Sequence, residues 1–220
     1  MRKILGAAAL LLIAGVAPAA AQAWDSPTFF APRPGEDLGI FLTVPEEDQG
    51  DIGFQAIWRQ QGNLSLGVRG GVGGIDGNRT ILLGAEFYGA LPVSSFPMNA
   101  TWVLGFGAGF NDDATQLRVP VGVSIGTVLG EGTSFVIQPY VHPRVAFDLV
   151  AFDVGDNEET ETDFSGAIDL GADVALSPQW VVKVGYTFAI GPDYGTEFDF
   201  YPNTFGAGVA YRMPRRIRSN

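Results

Sequence analysis

The first residue that invites chemistry is His142, the one histidine of the chain, set in Tyr140-Val141-His142-Pro143-Arg144. A histidine oriented by a carboxylate can act as a general base, and beside a hydroxyl it activates a nucleophile. Strand spacing puts Asp169 opposite His142, but no serine adjoins it, and only Ser124 and Ser165 supply hydroxyls on the same face. A structural histidine satisfied by Asp169 is therefore the expected role, with turnover the lesser alternative and no catalytic residue assigned. Arg69, Glu86, Arg118, Arg144, Asp173 and Lys183 share that face. Counting from the short turns opposes Lys183 to Asp173 and Arg118 to Arg144, which leaves Asp169 to bridge the two arginines. Such a network would plug a narrow polar tube, and the alternative is that it lines a hydrated pore.

Other chemistries find no support. The chain has no Cys, which excludes disulfides and thiolate sites. Gly105-x-Gly107-x-Gly109 is followed by no helix that could bind a phosphate, and the acidic stretches lack calcium-loop spacing. No cofactor and no metal are expected. A net charge of −11, with 24 acidic residues against 13 basic, argues against a nucleic-acid partner.

The elements that must hold these charges are strands. The chain has 220 residues, of which 30 are Gly, and that abundance disfavours long helices. Over residues 63–73 the even positions are Leu64, Leu66, Val68, Gly70 and Val72. The odd ones are small, polar or charged, Arg69 among them, which is the period of a strand with two unlike faces. The pattern recurs in ten segments, from Leu38, Ile40, Leu42 and Val44 to Phe205, Val209 and Tyr211. No Asp, Glu, Lys or Arg falls on the apolar face. Asp51, Arg59, Asp148, Asp163 and Arg212 join the residues already named on the other.

A soluble barrel would show the reverse, an apolar interior and a charged exterior. In lipid, one outward Arg or Lys near the midplane costs about 2–4 kcal/mol. The pattern predicts an all-β, antiparallel up-and-down transmembrane β-barrel of eight to ten strands, ten favoured. Closure removes the sheet edges that lipid could not satisfy, and it makes a monomer the default.

Arg2 and Lys3 precede an uncharged, mostly apolar run over residues 4–21, and Ala21-Gln22-Ala23 follows. This is the pattern of a cleaved secretory leader. The expected organisation is a leader over 1–23, a periplasmic segment over 24–36, the barrel over 37–213 and a basic tail over 214–220. Short turns at 60–62, 130–132 and 177–179 alternate with longer or acidic loops at 45–50, 152–161 and 192–202. That places the short turns in the periplasm and the long loops outside. Trp58, Trp102, Phe135, Trp180 and Tyr211 fall near the periplasmic rim, and Phe110, Phe147, Phe164 and Phe188 near the outer one. These are the two aromatic belts of a membrane barrel. Tyr194, Phe198, Phe200 and Tyr201, with acidic Glu46, Glu47, Asp48, Asp112 and Asp113, offer loop surface for a ligand.

The last strand reads Thr204-Phe205-Gly206-Ala207-Gly208-Val209-Ala210-Tyr211. Thr204, Gly206, Val209 and Tyr211 fit the polar-x-Gly-x-x-hydrophobic-x-hydrophobic signal that ends bacterial outer-membrane proteins. With Leu176-Ser177-Pro178-Gln179-Trp180 and the strand after it, the chain resembles the opacity-protein and OmpA-type transmembrane barrel family. The likeness covers the mature chain in pattern and its last two strands in specific residues. It implies recognition by the barrel assembly machinery. One departure is that family members usually stop at an aromatic residue, whereas residues 212–220 continue past Tyr211. The expected function is a small barrel in the outer-membrane lipid of a Gram-negative-type bacterium, with a structural or cell-surface interaction role. A small-solute or ion channel is the first alternative and a lipid-modifying enzyme the second.

Overall fold

The computed structural model describes residues 23–46, 52–61, 65–74, 79–92, 98–111, 114–133, 135–154, 157–191 and 203–213. The expected leader up to residue 22, the tail from 214, and Glu47, Asp48, Asp51, Asp112, Asp113, Tyr194, Phe198, Phe200 and Tyr201 lie outside them. Ten strands follow in order: β1 Asp37–Pro45, β2 Gly53–Gln60, β3 Ser65–Gly73, β4 Thr80–Leu91, β5 Asn99–Phe110, β6 Ala114–Gly126, β7 Val136–Val154, β8 Asn157–Ala175, β9 Trp180–Ile190 and β10 Thr204–Arg212. Each pairs antiparallel with its neighbours in sequence, and β1 pairs with β10 from Asp37↔Arg212 to Pro45↔Thr204, so the barrel is closed. No strand edge is left along the wall, as a lipid environment requires.

The alternation read from sequence is the alternation of the wall. Leu38, Ile40 and Leu42 of β1 and Leu104 and Phe106 of β5 point outward and are exposed. Phe164 is exposed to 74%, which for a phenylalanine is tenable only against an apolar medium. Every buried charged residue among those described, from Arg59 to Lys183, points into the lumen or belongs to the segment inside it. This inside-out arrangement is that of a membrane β-barrel.

Trp58, Leu38, Tyr211 and Trp180 form one row across β2, β1, β10 and β9. Trp180 and Tyr211 meet edge to face at 5.2 Å. Phe147 and Phe164 pair similarly at 5.5 Å toward the other end.

Prolines shape two seams. Pro143 and Pro120 have no N–H to donate, and the β6–β7 ladder breaks between Gly122↔Arg144 and Ile125↔Val141. The β5–β6 ladder breaks between Leu104↔Val121 and Gly107↔Arg118.

Three expectations are corrected. First, residues 152–154 and 157–161 are strand rather than loop, because β7 and β8 run on to pair Val154 with Asn157. Beyond the lipid both faces of a hairpin can be polar, so alternation vanishes while the ladder persists; Gly155-Asp156 is itself a two-residue hairpin signal. Second, the β6–β7 connection is wider than Gly130-Glu131-Gly132. Leu129 bridges Ile137, Gly130 and Gly132 take φ of 75° and 85°, and Thr133 donates its N–H to the Gly130 carbonyl. That shifts the seam by four residues, so Arg118 faces Asp148, and Arg144 faces Gly122.

Third, residues 24–36 do not form a purely periplasmic segment. Residues 23–32 lie inside the barrel, with Trp24, Phe29 and Phe30 fully buried. Those three aromatics and the Gly-lined wall are complementary, one supplying apolar bulk and the other the void that must be filled.

Candidate functional site

Among the described residues, the chemistry-bearing side chains converge in the lumen. The entering segment is held first by its backbone. Arg59 donates from Nη1 to the Phe29 carbonyl at 2.9 Å and from Nη2 to the Thr28 carbonyl at 2.8 Å. Arg69 donates to the Pro27 and Thr28 carbonyls at 3.1 and 2.9 Å. Ser124 and Thr101 donate to the Phe30 and Pro32 carbonyls at 2.5 and 2.6 Å. A stretch with no regular structure of its own thus has its carbonyls satisfied by side chains of the wall, as burial demands.

Its side chains fill the tube. Trp24 lies against Gly84, Gly105 and Gly107 of β4 and β5, where any Cβ would crowd the indole. The Arg69 guanidinium sits 5.5 Å from the centre of the same ring. Phe29 stacks on Phe41 at 4.2 Å and joins a cluster with Ile57. Phe30 meets Tyr88 edge to face at 4.9 Å, and the Arg59 guanidinium lies 4.6 Å from the centre of the Phe30 ring, a cation–π contact made stronger by exclusion of water.

Around this segment the charges pair in layers. Glu86 accepts from Arg69 at 2.5 Å and lies 3.2 Å from Arg59. Arg118 pairs with Asp148 at 3.0 Å and donates to Ser165. Arg144 pairs with Asp169 at 3.0 Å. The carboxylate that joins Arg118 and Arg144 is Asp25 of the entering segment: its Oδ1 lies 3.0 Å from Arg118 Nε, and its Oδ2 contacts Arg144 Nη1. The expected bridge, Asp169, serves Arg144, Thr28 and Thr187 instead. Lys183 lies between Asp37 at 2.7 Å and Asp173 at 3.3 Å. A buried charge that lost its partner would cost several kcal/mol, about 3–5, which is why these pairs fix both wall register and segment position.

His142 lies opposite Asp169, as its spacing implied. The Thr28 hydroxyl donates to Asp169 Oδ2 at 3.0 Å and lies 3.0 Å from His142 Nδ1. With the one hydroxyl proton of Thr28 directed at the carboxylate, the contact with His142 is made by Nδ1–H donating to the Thr28 oxygen. The imidazole is then not placed to take a proton from that hydroxyl, and His142 is 1% exposed.

All eight residues read as a lumen network, Arg69, Glu86, Arg118, His142, Arg144, Asp169, Asp173 and Lys183, are buried within the tube. Of the terminal signal, Thr204 and Gly206 face inward, Gly206 behind the Phe29 ring, while Val209 and Tyr211 face outward. Arg59 and Asp148, placed on the inner face by the alternation, belong to it too, whereas Trp24, Asp25, Thr28, Phe29, Phe30 and Asp37 are members that the alternation did not mark. A signal existed in inward glycines with nothing bulky opposite and in the aromatic-rich stretch Trp24 to Phe30.

Free space reflects this filling. A vestibule of about 870 Å³, lined in part by Pro32, Arg33, Gln61, Gln138 and Arg212, opens at the end where β1 begins. Beside Asp25, Thr28 and His142 the free volume is about 10 Å³, at most the room of one water.

No family model matches the chain, and no curated protein matches it. Solved structures similar to it include the N-terminal β-barrel domain of Pseudomonas aeruginosa OprF, 11% identical over 82% of this chain and 100% of that one, with a TM-score of 0.38. Neisserial surface protein A is 13% identical over 80% of this chain and 94% of that one, with a TM-score of 0.39. The NanC porin is 9% identical over 80% of this chain and 100% of that one, with a TM-score of 0.42. These are likenesses of one barrel to others at low identity, and the chemistry of the lumen is read from its own residues.

Proposed function

We propose that this chain is a small outer-membrane β-barrel protein of a Gram-negative-type bacterium, kept closed by residues 23–32, with a structural or cell-surface interaction role and no turnover. The observation that carries this reading is the occupied lumen: Trp24, Phe29 and Phe30 are fully buried and the charges around them are paired. A tube so filled offers no continuous water path, so surface outside the lumen is left for recognition. The apolar exterior with its aromatic rows supports the lipid location. Export through a cleaved leader, insertion by the barrel assembly machinery and a monomeric state complete the reading. In this orientation β1 starts in the periplasm and the long β7–β8 hairpin projects outside.

The test is single-channel conductance of the refolded chain in a planar bilayer, with heat-modifiable gel migration reporting that it has folded. A folded barrel that never conducts is expected. Discrete, reproducible steps from the wild-type chain would overturn the closed lumen and favour a small-solute channel.

A further inference from the structure

Asp25 is not part of the wall. It is carried in by the segment that closes the lumen, yet its carboxylate lies between two arginines of the wall. Consider the wall around it alone. Arg59, Arg69, Arg118 and Arg144 bring four guanidinium charges, all buried. Glu86, Asp148 and Asp169 bring three carboxylates, and each already has a wall arginine: Glu86 serves Arg59 and Arg69, Asp148 serves Arg118, and Asp169 serves Arg144. Arg118 and Arg144 thus each have a carboxylate of the wall, and Asp25 adds a second that the two share.

The way Asp25 is held is also specific. Arg118 approaches one carboxylate oxygen at 3.0 Å and Arg144 contacts the other. Two guanidinium charges, one beside each oxygen, flank an O–C–O group, a span that a single-atom anion cannot cover in the same way. About 10 Å³ of free volume lies next to this position, between Asp25, Gly122, His142 and Arg144.

We infer that Arg118 and Arg144 form a binding site for a small free carboxylate, and that Asp25 is its resident ligand supplied by the chain itself. This rests on the reading of residues 23–32 as the closing segment. Displacing that segment would uncover an anion-selective site in the lumen, with the arginine pair as the discriminating element.

The experiment is chemical rescue in the full-length chain. Asp25→Gly removes the resident carboxylate while keeping the rest of the segment. Folded into micelles, it should melt about 5–15 °C below the wild type in sodium chloride. Sodium formate at the same ionic strength should recover about half or more of that loss, saturably. In the double variant Asp25→Gly with Arg144→Gln, formate and chloride should act alike.

Should Asp25→Gly not fold, Asp25→Ser is used, and the same preference for formate is required of it. Equal effects of formate and chloride on the single variant, or a formate effect that survives Arg144→Gln, would overturn the assignment. Failure of the closed-lumen reading is seen separately, as conductance of the wild-type chain.

Discussion

The Trp24 indole lies against the backbone of β4 at Gly84, so near that a methyl group on Gly84 would overlap ring atoms Cε3 and Cζ3. An aromatic of the entering segment and a glycine of the wall are thus two halves of one contact. Gly84→Ala should destabilise the folded barrel by about 1–3 kcal/mol through overpacking. Trp24→Ala should cost about 3–5 kcal/mol through the void it leaves. The two losses should not add, since the alanine at 84 has nothing to strike once the indole is gone. Urea midpoints of the two single variants and the double one check this, and additive losses would remove Trp24 from the lumen.

Lys183 joins Asp37 at the start of β1 to Asp173 of β8. Lys183→Ala leaves two buried carboxylates facing each other without a cation. The expected loss is about 3–5 kcal/mol, seen as a lower temperature for the shift in gel migration. An unchanged transition would mean that the pair is solvated and the network does not hold the wall.

Val121 is half exposed on the outer wall near the middle of β6. In lipid, Val121→Arg should cost about 2–4 kcal/mol, whereas Val121→Leu should be nearly silent. Equilibrium folding into vesicles measures both. Equal tolerance of Arg and Leu would contradict the lipid-facing assignment of this wall.

Glu46, just past the C-terminal end of β1, accepts hydrogen bonds from Tyr186 and from Asn203 at 3.0 Å. These bonds, the Tyr186 one foremost, hold its carboxyl below the usual glutamate range. A carboxyl lowered by folding contributes stability above its unfolded pKa and loses it as pH falls through the folded one. Its titration, followed by NMR in micelles, should have a midpoint below that of an exposed glutamate. Tyr186→Phe should move the midpoint upward, and no movement would mean that the hydroxyl does not set it.

The β6–β7 seam shows where local reading loses information. Counting from a three-residue turn opposed Arg118 to Arg144, but the turn extends through Thr133, and the four-residue shift brings Arg118 opposite Asp148. Turn length is set by backbone angles at Gly130 and Gly132, which a glycine permits but does not dictate. By contrast, the turn at 177–179 was read with the right length. Lys183 therefore stands opposite Asp173, and one strand pair further His142 stands opposite Asp169.

By itself the sequence determined the strands, their outward faces and the closed barrel. Period-two alternation is local, and the lipid penalty enforces it residue by residue at Leu38, Val68 or Phe164. It also determined that Arg69, Glu86, Arg144 and Lys183 face a common interior. Only the tertiary structure decided what fills that interior. Residues 23–32 carry no periodicity, and their place is set by contacts more than a hundred residues away, Asp25 with Arg144 and Thr28 with Asp169. Such contacts depend on the shape of a tube that exists only once all ten strands have closed.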